Sequence, residues 1–177
     1  MINIAYHSFP FHSAPLRLPS HRSSIAMDTT SKALPGTKTA VVTGGARGIG
    51  KAIALQLASE GFDITLADLP ALRETTEATA NEIRDLGRRA IVSLTDVSNR
   101  SEVEQMCQSH VDSLGPLFCM VANRGIAQVK SAMELTEQDV RKMLEVNVFG
   151  LFNCYQVAAK HMIAQGTQGR LLGASRY

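Results

Sequence analysis

Between Thr43 and Gly50 the chain reads Thr-Gly-Gly-Ala-Arg-Gly-Ile-Gly, a glycine-rich turn of the kind that can hold a phosphate. Gly44 can supply a tight turn, Gly48 can let the backbone approach a pyrophosphate, and Gly50 can let a following helix pack on the preceding strand. Arg47 and Ile49 fill the positions between them. The free N–H groups and the positive dipole end of that helix would then face the phosphates. The spacing is G-x-x-x-G-x-G, not the more general G-x-G-x-x-G, and such a turn can also be only a tight connection. Asp68 ends the next apolar run. A carboxylate there can accept hydrogen bonds from adenosine ribose hydroxyls and would repel a 2′-phosphate, which favours NAD(H) over NADP(H). A turn or helix-cap aspartate is the plainer alternative. Arg47 pulls the other way, because a cation near the ribose can pair with a 2′-phosphate.

These residues need a frame of strands and helices, and the periodicity supplies one. Lys38–Thr43 is a short β-branched run, predicted as a buried strand. Gly48–Glu60 has helical spacing. Asp63–Ala67, Ala90–Leu94 and Leu117–Ala122 read as further strands, with helices over Ala71–Leu86 and Glu102–Leu114 between them. Thr136–Gln165 reads as one long helix or two, with apolar Met143, Val146, Val148, Leu151 and Val157, and Arg170–Ala174 as a fifth strand. Strands alternating with helices imply right-handed βαβ units and a parallel sheet. The expected fold is α/β, a doubly wound, Rossmann-like sheet of order 3-2-1-4-5, incomplete at its C-terminal side.

Composition narrows the function. In 177 residues, 45% are hydrophobic and 19% charged, which suits one globular domain with a buried core. The net charge is +2, and Arg17 and Arg22 lie in the acid-free first 27 residues, so the body is balanced. That argues against nucleic-acid and membrane-surface partners. Cys107, Cys119 and Cys154 lack metal-ligand spacing and read as reduced thiols of a cytoplasmic protein, with no metal site. Residues 1–36, with Pro10, Pro15, Pro19 and Pro35, read as a disordered leader ahead of a nucleotide-binding domain at 37–177. Met27 is the favoured start. A mitochondrial presequence is the minority reading, because the prolines would break an amphipathic helix.

The ordered region resembles the short-chain dehydrogenase/reductase family. Its T-G-x-x-x-G-x-G resembles Thr43, Gly44, Gly48 and Gly50, and its Asp-Val pair resembles Asp96-Val97. Its N-A-G motif is similar to Asn123-Arg124-Gly125, and its helix asparagine to Asn147. The wording of Met120–Asn123, Gly125–Lys130 and Gly169–Ser175 resembles diacetyl/acetoin reductases. From the residues alone, Asp96 can equally be a helix N-terminal aspartate and Asn123 a loop amide serving strand-end backbone. Asn147, flanked by valines in a helix, is harder to explain blandly. A methyltransferase-like α/β fold is the unrelated alternative, against which Asp96-Val97, Asn123 and Asn147 weigh.

The resemblance implies hydride transfer between a nicotinamide cofactor and a small carbonyl or secondary alcohol. A tyrosine would move the proton, a lysine would tune that tyrosine, a serine would orient substrate, and Asn147 would support a water relay. No Tyr-x-x-x-Lys occurs in the sequence. Ser175 is a poor stand-in for the serine, whose usual place falls on Arg176, and Arg124 stands where the family has a small alanine. The expectation is therefore a C-terminally truncated member, inactive or very weak by itself. A non-catalytic nucleotide-binding module and a non-functional product are the other readings. The resemblance also implies a homo-oligomer packed through the Thr136–Gln165 helix.

Overall fold

A computed structural model describes residues 38–166 and 168–174. The leader expected at 1–36 and the substitute serine Ser175 lie outside the described residues. Five strands, β1 (Thr39–Thr43), β2 (Asp63–Asp68), β3 (Ala90–Leu94), β4 (Cys119–Ala122) and β5 (Arg170–Gly173), form one sheet in the order β3-β2-β1-β4-β5. Every pairing is parallel, with Thr39 opposite Asp63 and Ala40 opposite Cys119. The expected strand order is the one observed.

The central strands β1, β2 and β4 are buried on both faces because they are largely apolar in both alternating sets, whereas β5 at the edge is mostly exposed. Ala40, Val42, Ile64, Leu66 and Val121 point to one side, where they pack with Ala54, Ala58, Ala80 and Ile83. These come from α1 (Gly48–Ser59) and α2 (Arg73–Asp85). Val41, Ala67, Met120 and Ala122 point to the other side, against Val103, Met106, Cys107, Cys154, Val157 and Met162. Those belong to α3 (Arg100–Leu114) and α5 (Leu151–Ala164). The result is a three-layer arrangement with the β1 and β2 ends at its centre.

The boundaries shift for local reasons. The helix expected over Ala71–Leu86 opens as a 3₁₀ turn, Pro70–Leu72, before α2 begins at Arg73, consistent with proline at the first position of a turn. α3 starts at Arg100, two residues early, because Asn99 caps it by accepting the Ser101 N–H. The Thr136–Gln165 segment is continuous but not uniform. α4 (Glu137–Leu144) begins with a capping box between Thr136 and Asp139 and runs into a π-helical turn, Glu145–Gly150, before α5. That turn carries Asn147.

Buried polar groups are paired. His110 sits in the core with Nδ1 2.7 Å from Thr65 Oγ1 and Nε2 2.9 Å from Thr39 Oγ1. Burial, helped by the positive charges of His161 and Arg89, pushes its pKa down to about 4. Burial likewise pushes the thiols up, Cys107 and Cys154 to about 12 and Cys119 to about 11. No described helix is long and apolar enough to cross a membrane.

Candidate functional site

The turn from β1 to α1 opens onto a cleft of about 280 Å³ at the carboxyl ends of the central strands. Gly44 and Gly48 hold φ of +69° and +59°, the left-handed region that side chains with a β-carbon avoid. Gly44 N–H donates to Ala67 C=O at 2.8 Å, tying the turn to β2. At Gly50 a β-carbon would overlap the Gly44 carbonyl oxygen outright and come within 2.6 Å of Asn123 Nδ2. At Gly48 a β-carbon would meet nothing within 4 Å. Gly50 therefore closes the helix onto the turn, whereas Gly48 keeps backbone exposed beside open space.

The N-terminus of α1 is left bare. Arg47 occupies its cap position in an extended conformation with no side-chain cap hydrogen bond, and no acidic residue lies in the first turn. By contrast α3 and α4 are both capped by side chains. A bare helix start beside a left-handed glycine is a cradle for an anion, so the residues present fit a dinucleotide pyrophosphate.

Asp68 forms the acidic wall of the cleft and is buried. Its Oδ2 accepts the Ala46 N–H at 3.2 Å and its Oδ1 the Leu69 N–H at 2.9 Å. Arg124 Nη1 stands 3.6 Å from the same Oδ1, an ion contact longer than a hydrogen bond. Asn123 locks the β4 end to the turn. Its backbone N–H donates to Thr43 Oγ1 at 3.0 Å, and its Nδ2 donates to Thr43 C=O at 3.0 Å.

Of the residues singled out from the sequence, Gly44, Arg47, Gly48, Ile49, Gly50, Asp68, Asn123 and Gly125 line this one cleft. Leu72 and Arg124 complete it and were not picked out as site residues. Leu72 arrives through the 3₁₀ turn, which no motif marks. Arg124 sits inside a recognised motif at a position expected to be small.

Asp96, Val97 and Asn147 are placed elsewhere. Asp96 Oδ1 accepts the Ser98 N–H at 3.0 Å and its hydroxyl at 2.7 Å, a local turn after β3. Val97 is buried against Gly150, and its carbonyl accepts from Asn153 Nδ2 at 3.1 Å. Asn147 reaches the loop after β4. Its Oδ1 accepts the Ile126 N–H and its Nδ2 donates to the Ile126 carbonyl, both at 2.8 Å. The π turn thus holds the strand-four loop by a two-point clamp. Among the described residues no group of three or more His, Cys, Asp or Glu could hold a metal ion.

A parallel doubly wound sheet with a glycine turn, a bare helix start and an acidic β2 end defines a Rossmann-like protein. Residues 38–175 match the sequence profile of the short chain dehydrogenase family, and the chain belongs to that family. It is 38% identical over 139 residues to a diacetyl reductase, (S)-acetoin forming, of Staphylococcus epidermidis, covering 78% of this chain and 53% of that one. An alcohol dehydrogenase from Thermococcus sibiricus, solved with 5-hydroxy-NADP, superposes with a TM-score of 0.70 at 30% identity, over 77% of this chain and 57% of that one. A short chain dehydrogenase/reductase from Burkholderia phymatum, solved in complex with NAD, gives 0.73 at 28% identity, over 77% and 48%. The chain spans about half the length of the curated relatives it matches.

Proposed function

We propose that this chain binds a nicotinamide dinucleotide in the cleft above β1 and β2, with NADH preferred over NADPH. It would serve a carbonyl or secondary-alcohol oxidoreductase acting on acetoin- or diacetyl-like substrates. The observation that carries the reading is the uncapped start of α1 beside Gly48, opening onto a cleft also lined by the Asp68 carboxylate. The N–H groups of the first turn hold the pyrophosphate, and Gly48 lets it come close. Asp68 accepts hydrogen bonds from the ribose hydroxyls. Asn123 keeps the β4 end in register with the turn. Asp96 shapes the turn after β3, and Val97 packs against Gly150.

The bound nicotinamide supplies or takes a hydride. Asn147, fixed through Ile126, orders the backbone of the loop where a substrate and a proton relay would sit. The proton donor of the family chemistry is not proposed among these residues: Tyr155 has Ala159, not a lysine, four positions later.

Titration with NADH and NADPH, following cofactor fluorescence, tests the reading. The chain contains no tryptophan, so the protein adds little signal of its own. Saturable enhancement, stronger with NADH, is the expected result. A folded sample with no response to either nucleotide would refute it.

A further inference from the structure

Arg124 is held at the acidic wall of the cleft. Its backbone N–H donates to Thr43 Oγ1 at 3.1 Å, and its Cα lies where a β-carbon on Gly44 would come within 3.1 Å, so the residue cannot back away. Its side chain is 22% exposed and lines the cleft with Asp68. The 3.6 Å ion contact with Asp68 fixes the guanidinium, yet that guanidinium makes no hydrogen bond to any described residue. The Asp68 carboxylate already accepts two backbone N–H groups and has the cation against Oδ1.

A lone carboxylate repels a 2′-phosphate. A carboxylate paired with a guanidinium presents no net charge, and here the guanidinium keeps a planar set of donors suited to phosphate oxygens. We propose that Arg124 is a specificity-determining residue that receives the 2′-phosphate of NADP(H), with Asp68 as its positioning counterion. The preference for NADH is then narrow, and the cleft accepts both nucleotides. This inference rests on the nucleotide reading of the cleft given above.

The test measures dissociation constants for NADH and NADPH on the full chain and on Arg124→Ala, Arg124→Lys and Arg47→Ala, each checked by thermal melt. Arg124→Ala weakens NADPH about tenfold or more and NADH less than about threefold, the loss expected for a charge-assisted contact made by one ligand only. Arg124→Lys keeps part of the NADPH affinity. Equal loss for both nucleotides, or a NADPH loss carried by Arg47→Ala and not by Arg124→Ala, overturns the proposal.

A measurement on the unaltered chain guards against variants that fail to fold. 2′,5′-ADP displaces NADH within about tenfold of the concentration needed for 5′-AMP, and a wider gap in favour of 5′-AMP overturns the proposal. If the unaltered chain binds neither NADH nor NADPH, the nucleotide reading itself fails. If it binds NADH but the arginine variants leave the ratio unchanged, only this inference fails.

Discussion

Replacing Gly50 and Gly48 separately by alanine distinguishes the two tasks of the glycine turn. At Gly50 the new β-carbon lies 2.7 Å from the Gly44 carbonyl carbon and 2.6 Å from Asn123 Nδ2. Ordinary carbon contacts need ~3.5 Å, so the turn must open by about 1 Å. The obstacle is backbone, which cannot rotate aside. The cost belongs at the upper end of the overpacking range, about 3 kcal/mol. For a domain of this size that lowers the melting temperature by roughly 12 °C. At Gly48 the β-carbon meets nothing within 4 Å, and only the φ of +59° resists it. A left-handed alanine costs ~1–2 kcal/mol, partly offset by lower entropy of the unfolded chain, leaving about 1 kcal/mol and roughly 4 °C. The new methyl stands in the cleft, so Gly48→Ala loses nucleotide affinity out of proportion to its stability. Far-UV circular dichroism melts and NADH titrations on both variants read the contrast. A Gly50→Ala protein that melts as high as Gly48→Ala would refute the packing argument.

Three further outcomes follow from other parts of the molecule. Asn147→Ala removes both ends of the Ile126 clamp and costs about 2 kcal/mol, at roughly 1 kcal/mol per hydrogen bond. Hydrogen exchange should show the Ile126 amide deprotected while β1 and β2 amides stay slow. His110 has its pKa lowered from 6.5 to about 4, so above pH 6.5 its contribution to stability is fully present. Between 6.5 and about 4 only the unfolded chain takes up the proton, and about 3 kcal/mol is lost as pH falls. Urea midpoints across this window should decline with a one-proton slope that His110→Gln removes. All three cysteines are buried with raised pKa values, so iodoacetamide at pH 8 should label them only after unfolding. Rapid native labelling of any of them would contradict the core packing described.

The sequence by itself determined the order of elements and the cleft's main outline. Alternating apolar runs at β1, β2 and β4 left no choice but a sheet covered on both faces. The left-handed positions of Gly44 and Gly48 are bound to residue type, because backbone conformation is local chemistry. Asp68 was legible for the same reason, as the last residue of a strand whose end opens onto the turn. Tertiary structure decided what depends on distances between segments far apart in the chain. Leu72 entered the cleft because a 3₁₀ turn aims it there. Asp96 Oδ1 accepts from the Ser98 N–H and hydroxyl, a local turn no motif records. The long segment after Thr136 stays helical but changes period at a π turn, and only packing places Asn147 against Ile126. Arg124 shows the division most directly. Its identity was visible, but whether its charge faced solvent or Asp68 depended on how β4 sits beside β1 and β2. Side-chain direction at a strand end is fixed by the neighbours that fill the space around it, and the sheet brings those neighbours from elsewhere in the chain.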